Sequence, residues 1–198
     1  MKMKTALALG ITALMLGGCS STTVSYGDAT ETETVTADYG STDLQGIATK
    51  MVDSMLSSPA AAEISAAGRP VMYMDSIRNK TSEHIDTEAI TDTIRTKLLS
   101  SGKFRFVDMS KVAAVKQQLE YQSSSGLVDP ASMVRIGKQT GARYMMYGNL
   151  SSIVKDNGKV KDVFYQITMN LMDLQSGELV WADQKEIRKQ ARRSTFGW

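Results

Sequence analysis

The stretch ARYMMYGNLSSIVKDNGKVKDVFYQITMNLMDLQSGELVWADQKEIR, residues 142–188, decides the fold. It divides into three strand-like runs, Ala142–Val154, Lys159–Leu174 and Leu179–Arg188. The junctions are Asp156-Asn157-Gly158 and Gln175-Ser176-Gly177, both Gly-containing hairpin signals, of which Asn-Gly is the stronger. In the middle run Val163, Tyr165, Ile167, Met169 and Leu171 recur at every second position, the period of a strand with one apolar face. Three long strands with two short turns predict an antiparallel meander.

Upstream the periodicity is helical. Leu44, Ile47, Ala48, Met51, Met55 and Leu56 share one face, with Ser41, Thr42 or Asp43 available as N-cap. A small-residue loop, Ala60–Gly68, is expected next, and Pro70 then opens the buried strand Val71-Met72-Tyr73-Met74-Asp75. The polar stretch Ile77–Ile85 reads as a loop leading to Asp86, the N-cap of a helix carrying Ala89, Ile90, Ile94 and Leu98 and stopped by Gly102. Phe104-Arg105-Phe106-Val107 alternates as a strand, and Ser110 caps a helix with Val112, Val115 and Leu119. Gln122–Val128 is an expected loop, and Asp129-Pro130 starts a helix closed by Gly141. The order α-β-α-β-α-α-β-β-β predicts an α/β fold: a small sandwich with a mixed sheet flanked by helices, its last three strands an antiparallel meander.

Composition narrows the function. The chain has 198 residues, enough for one domain and a tail, with one Cys and one His. One Cys excludes a disulfide framework, and one His argues against His-based catalysis or zinc. No phosphate-binding Gly-rich loop and no Gly-x-Ser-x-Gly elbow occurs. His84 lies in a polar loop, while the carboxylate pairs Asp75 with Glu83 and Asp86 with Glu88 stand as open acid/base candidates whose simpler readings are a strand end, an N-cap and first-turn acids. The many methionines, Met51, Met55, Met72, Met74, Met145, Met146, Met169 and Met172 among them, read as core filling. The sequence therefore points away from an enzyme, with no cofactor, no metal and no small-molecule substrate.

The first residues fix an address. Lys2 and Lys4 precede the apolar run Thr5–Leu16, which at about 12 residues is short of the roughly 20 needed to span a bilayer. Residues 1–18 read as a signal peptide, and Leu16-Gly17-Gly18-Cys19 resembles a bacterial lipobox. Cys19 is then the lipidated amino terminus, and Ser20 after it implies sorting to the outer membrane, facing the periplasm. Residues 19–42 read as an acidic, disordered tether, and 43–198 as the single domain. Fully extended, 24 residues reach roughly 80 Å.

Charge is unevenly spread. Residues 20–43 hold Asp28, Glu31, Glu33, Asp38 and Asp43 and no base, whereas residues 44–198 carry a net +5. Lys185, Arg188, Lys189, Arg192 and Arg193 supply much of it. In the periplasm such a cluster implies no nucleic acid; it fits an acidic protein or anionic envelope polymer, or is a solvated tail.

Four segments carry a resemblance. Val71–Thr81 joins a hydrophobic strand ending in Asp75 to a loop with Asn79-x-Thr81. Ser101–Val107, Gly141–Tyr147 and Leu174–Trp181 follow in order. Together, over Arg69–Lys189 and with the lipobox, they resemble the LpoB family of outer-membrane lipoproteins, and more distantly the curli-secretion lipoprotein and TolB amino-terminal domains. The resemblance implies a non-catalytic lipoprotein that docks on a regulatory domain of a class A penicillin-binding protein and stimulates peptidoglycan synthesis, hence cell wall biogenesis and cell shape. The kinship with the curli lipoprotein keeps open an alternative, an oligomeric subunit or accessory of an envelope export or assembly complex. The tether departs from the family in being short, acidic and without Pro.

For the docking surface the candidates are Arg78, Asn79, Lys80 and Thr81, with Tyr147 and the Ser123–Gly126 loop behind them. Asn79 and Thr81 have a second reading, as hydrogen-bonding partners within their own turn. Phe196 and Trp198 at the basic terminus are either an aromatic anchor or a frayed end.

Overall fold

A computed structural model describes residues 25–33, 36–126 and 141–193. The signal peptide, Cys19, the helix expected after Asp129, Phe196 and Trp198 lie outside these residues. The chain divides into two units, Met1–Glu31 and Thr32–Trp198. What is described of the first, residues 25–31, contains an Asx turn in which the Asp28 carboxylate accepts from the Thr30 N–H at 2.8 Å.

The second unit is an α/β layer structure with a mixed sheet. Its elements are α1 (Ser41–Ser57), α2 (Pro59–Ser65), β1 (Val71–Met74), β2 (Arg78–Asn79), α3 (Thr87–Ser100), β3 (Arg105–Val107), a 3₁₀ turn (Met109–Lys111), α4 (Val112–Ser124), β4 (Tyr144–Asp156), β5 (Val160–Asp173) and β6 (Leu179–Arg192). The strand order is β3-β1-β4-β5-β6, with β2 pairing on β4. β1 runs parallel to β3 and β4, and β4, β5 and β6 form the expected antiparallel meander. Gly158 and Gly177 sit at φ +81° and +79° in the two hairpin turns, a backbone region that favours glycine.

The meander has two unlike faces. Val163, Tyr165, Ile167, Met169 and Leu171 of β5 are all fully buried, and their neighbours on β5 only half-buried. They share one core with Met72 and Met74 of β1, Met146 and Leu150 of β4, Ile47, Met51 and Met55 of α1, and Ile90, Ile94 and Leu98 of α3. The alternation read from sequence is thus that of a half-buried sheet strand covered by helices. Six of the eight named methionines fill this core. Met145 and Met172 do not: they pair across β4 and β5 on the opposite face.

Several boundaries differ from expectation. The loop expected at Ala60–Gly68 is helical through Ser65, because Ser58 accepts the Ala61 N–H at 3.0 Å and Pro59 occupies the first position ahead of three alanines. The N-cap of α1 is Gly40; Asp43 instead reaches back from the first turn to accept the Gly40 N–H at 2.9 Å. Asp108, not Ser110, caps the turn before α4, accepting from the Ser110 N–H at 3.0 Å. The stretch Ile77–Ile85 includes the two-residue strand β2, and α4 continues to Ser124 into the loop expected from Gln122. α4 buries none of its expected apolar positions: Val112 and Leu119 are half-buried and Val115 is exposed.

The packed domain also begins before Asp43. Ala37 is 5% exposed, and Tyr39 packs against the core with its ring edge-on to Tyr165, centroids 5.8 Å apart. Composition concealed this, because two residues embedded in an acidic segment do not make an apolar pattern.

Candidate functional site

The sequence candidates separate into two groups. Asn79 and Thr81 build their own loop. The Asn79 Oδ1 accepts from the Thr81 N–H at 2.9 Å and from its hydroxyl at 2.8 Å, while Asn79 Nδ2 donates to the Glu83 carbonyl at 2.8 Å. Thr81 Oγ1 in turn accepts the Glu83 N–H at 3.1 Å. The side-chain polar atoms of Asn79 and Thr81 are therefore engaged locally, the turn-building reading of Asn-x-Thr.

That loop places Glu83, a residue the sequence did not mark as functional. Its Oε1 accepts the Tyr165 hydroxyl at 2.5 Å, and its Oε2 accepts the Tyr39 N–H at 3.2 Å. Burial, and then the Glu83 hydrogen bond, hold the Tyr165 phenol well above its usual range. Burial, followed by the charge of Asp43, does the same to Tyr39. Beside them Lys189 donates to Asp43 Oδ2 at 2.9 Å and to the Asp38 carbonyl, and Lys161 pairs with Asp38. The chain segment 38–43 is clasped to β5 and β6 by these contacts. Lys189 and Asp43 are 17% and 8% exposed at the side chain, so the pair is desolvated. Lys189 thus leaves the basic run that the sequence displays, and Arg188 is taken up by Asp162 in two contacts of 3.0 and 2.5 Å. Among the described residues Lys185, Arg192 and Arg193 make no ion pair.

Arg78 and Tyr147 form the second group. β2 sets Arg78 opposite Asn149 of β4, and Tyr147 lies two residues earlier on the same strand, hence on the same face. This is the face away from α1 and α3. Register adds Tyr73 opposite Met145, Asn170 opposite Tyr147, Thr168 opposite Asn149, and Gln184 opposite Thr168. These side chains are half-buried or exposed and mix aromatic, thioether and amide groups. Such a face on a rigid sheet can dock a protein through anchors and adaptable hydrogen bonds. Lys80 stays at its edge, exposed, with its N–H donating to the Leu150 carbonyl at 2.7 Å. The Ser123–Gly126 candidate is the last turn of α4 and its Gly126 stop at φ +67° rather than a docking loop.

Catalytic groupings are not formed by the candidates considered. Asp86 caps α3, accepting from the Glu88 and Ala89 N–H groups, and Asp75 Oδ1 accepts the Tyr73 hydroxyl at 3.1 Å. His84 is exposed. No group of three metal-ligating side chains occurs among the described residues.

Comparison with known proteins gives concordant results. Residues 43–187 match the family model described as peptidoglycan-synthase activator LpoB. A penicillin-binding protein activator LpoB from Enterobacter sp. (strain 638) is 28% identical over 148 residues, covering 75% of this chain and 62% of the relative. The protein of the same name from Escherichia coli (strain K12) is 29% identical over 148 residues, covering 75% and 63%. The chain therefore spans somewhat under two thirds of the length of these relatives. Among solved structures, the LpoB C-terminal domain from Escherichia coli aligns with 73% of this chain and 98% of its own, at 23% identity and a TM-score of 0.46.

Proposed function

The chain belongs to the LpoB family of peptidoglycan-synthase activators, and on that premise we propose that it docks on a class A penicillin-binding protein and stimulates its peptidoglycan synthesis. The family match across 43–187 carries this reading, because it covers the sheet and the helices that support it. The domain supplies a surface rather than a reaction. Stimulation follows if that surface binds an active conformation of the synthase more tightly than a resting one; a tenfold shift corresponds to about 1.4 kcal/mol of differential affinity.

Docking is assigned to the face bearing Arg78 and Tyr147, with Lys80 at its edge. Asn79 and Thr81 act indirectly by fixing β2 against β4. Cys19 carries the lipid that anchors the chain to the outer membrane on its periplasmic side, and residues after it form the tether. The alternative of an oligomeric envelope-assembly subunit has no observation in its favour, since the apolar face of β5 is occupied by α1 and α3.

The test is reconstitution of the full mature chain with a class A penicillin-binding protein of the same cell, reading binding and cross-linking rate. Binding with a several-fold rise in rate is expected, reduced at least tenfold in affinity by Arg78→Glu and by Tyr147→Ala. An unchanged rate with every class A synthase overturns the proposal.

A further inference from the structure

At the end of the sheet opposite the Asn157-Gly158 turn, three arginines converge on one open cleft. Arg69 lies in the turn after α2, Arg105 opens β3, and Arg143 precedes β4; Ile64, Pro70, Val71 and Tyr144 supply the apolar lining of a space of about 340 Å³. Nothing in the docking face or the clasp uses these residues.

Each guanidinium is held by a contact that leaves most of its five N–H donors unspent. Arg69 Nη2 donates to the Phe104 carbonyl at 2.8 Å, and Arg105 Nε donates to the Arg69 carbonyl at 3.3 Å. Arg143 bridges Asp173 Oδ2 through Nε and Nη2 at 3.3 and 3.1 Å, and stacks 5.3 Å over the Tyr144 ring. Asp173 is thus the counter-ion of Arg143, and Arg69 and Arg105 have no carboxylate partner among the described residues. Two cations without a carboxylate partner among the described residues, beside the Arg143–Asp173 pair and around an apolar floor, raise the local potential and favour an anion. Planar forks held by carbonyls suit carboxylates in particular, because the fork is already oriented for bidentate binding. The volume, at the lower end for ligand pockets, admits a few residues of peptide rather than a folded surface.

We propose that this cleft binds a short carboxylate-bearing peptide, and that its source is the peptide stem of peptidoglycan. The stem offers small aliphatic groups for the Ile64, Pro70 and Tyr144 lining and free carboxylates for Arg69 and Arg105. The choice of source rests on the envelope reading given under Proposed function; the choice of carboxylate rests on the arginines alone. Held there, the stem would keep the domain on the polymer while the Arg78 and Tyr147 face engages the synthase.

The test titrates the full mature chain, by calorimetry or by chemical shift, with a synthetic stem tripeptide of alanine, γ-linked glutamate and diaminopimelate. The same peptide with its carboxyls amidated, and an unrelated acidic peptide of equal charge, are the comparisons. Saturable binding is expected for the stem peptide, weakened at least tenfold by amidation and by Arg69→Gln with Arg105→Gln. Arg188→Gln, whose residue sits on the other end of the meander, should leave it unchanged. Equal binding of the amidated peptide, or no binding of the stem peptide, overturns the proposal; tighter binding of the unrelated acidic peptide overturns its source. The amidation arm needs no variant, so a folding defect does not obscure the outcome. Synthase stimulation measured on the same arginine variants with soluble substrate should be unchanged, which separates failure of this site from failure of the activator reading.

Discussion

β4 is two strands in one. From Tyr144 to Leu150 it alternates between fully buried and half-buried residues, with β1 and β2 on one side and β5 on the other. From Ser151 to Asp156 the ladder to β5 continues without a break, yet Ile153 and Val154 are 60% and 42% exposed. Hydrogen-bond register is the same in both halves, so it cannot be what makes one half core. The difference is a second neighbouring strand, which flanks β4 only as far as Leu150. Ile153 lies on the face away from the helices, and Val154 borders the core through its buried partner Val163 but has no strand beyond it. Pairing sets which side chains share a face; packing decides whether that face contributes to stability.

The contrast can be broken most severely at Leu150, which has no exposure at all. Leu150→Ala should cost about 3 kcal/mol in denaturant unfolding, the usual range for an aliphatic truncation in a core. A cost below about 1 kcal/mol would mean that the helices do not seal the covered half. Next comes the clasp. Asp43→Ala leaves Lys189 desolvated without its partner and should destabilise by about 2 kcal/mol, below the fully buried limit because Lys189 keeps some solvent contact. Replacing both residues, Asp43→Leu with Lys189→Met, should recover most of that loss, and a simple sum of the two single losses would show that they are not coupled.

Asn79→Ala sharpens the comparison at the seam between the halves, where β2 ends. It should cost about 1 kcal/mol, and adding Thr81→Ala should cost little more, because the two side chains serve one turn. Full additivity in a double-mutant cycle would refute that shared role.

The alkaline limb tests the covered face by titration, at Tyr165 opposite Ser152 and at Tyr39 packed against it. Tyr39 and Tyr165 have folded pKa values raised above the ordinary 10 by burial first. Their neutral forms are favoured in the fold, so the associated stability is complete below pH 10 and declines as pH rises beyond it. Tyr165→Phe should flatten that decline in unfolding midpoints measured between pH 9 and 11.5 (an order-of-magnitude window from the linkage sign). A limb of unchanged slope would assign the alkaline loss to other groups. The smallest effect is expected at Ile153, where Ile153→Ala should move stability by less than about 0.5 kcal/mol. A larger loss would reveal burial that the exposed half lacks in isolation, such as contact between copies of the chain.

How much of this was legible depended on how local the determining interaction was. The meander, its two turns, the α3 cap at Asp86 and the core stripe of β5 follow from period and turn chemistry within a few residues of one another. β2 was hidden because a two-residue strand has no period. The clasp was hidden for a different reason: Asp43 to Lys189 and Glu83 to Tyr165 are partners separated by most of a domain, and each looks like an ordinary surface charge in its own neighbourhood. The sequence groups Arg78–Thr81 as one candidate loop and leaves two readings open for Asn79 and Thr81. Asn79 and Thr81 are taken up by the turn, while Arg78 lies with Asn149 on the face away from α1 and α3, a placement that only pairing with β4 reveals. Arg69, Arg105 and Arg143 lie in three separate segments, so no motif could have joined them.

The clasp also sets the length of a leash. With Cys19 as the proposed anchor, a tether that ends at the Asp38 clasp spans at most about 18 residues instead of 24, a maximum reach near 60 Å rather than 80 Å. The accessible volume scales with the cube of that radius, so fixing six residues cuts it to roughly two fifths. Confinement raises the local concentration of the domain within that volume and removes it altogether beyond. On that proposed anchoring, undoing Asp38–Lys161 and Asp43–Lys189 would loosen the near end of the leash, so that two ion pairs on β5 and β6 bear on how far the domain can reach.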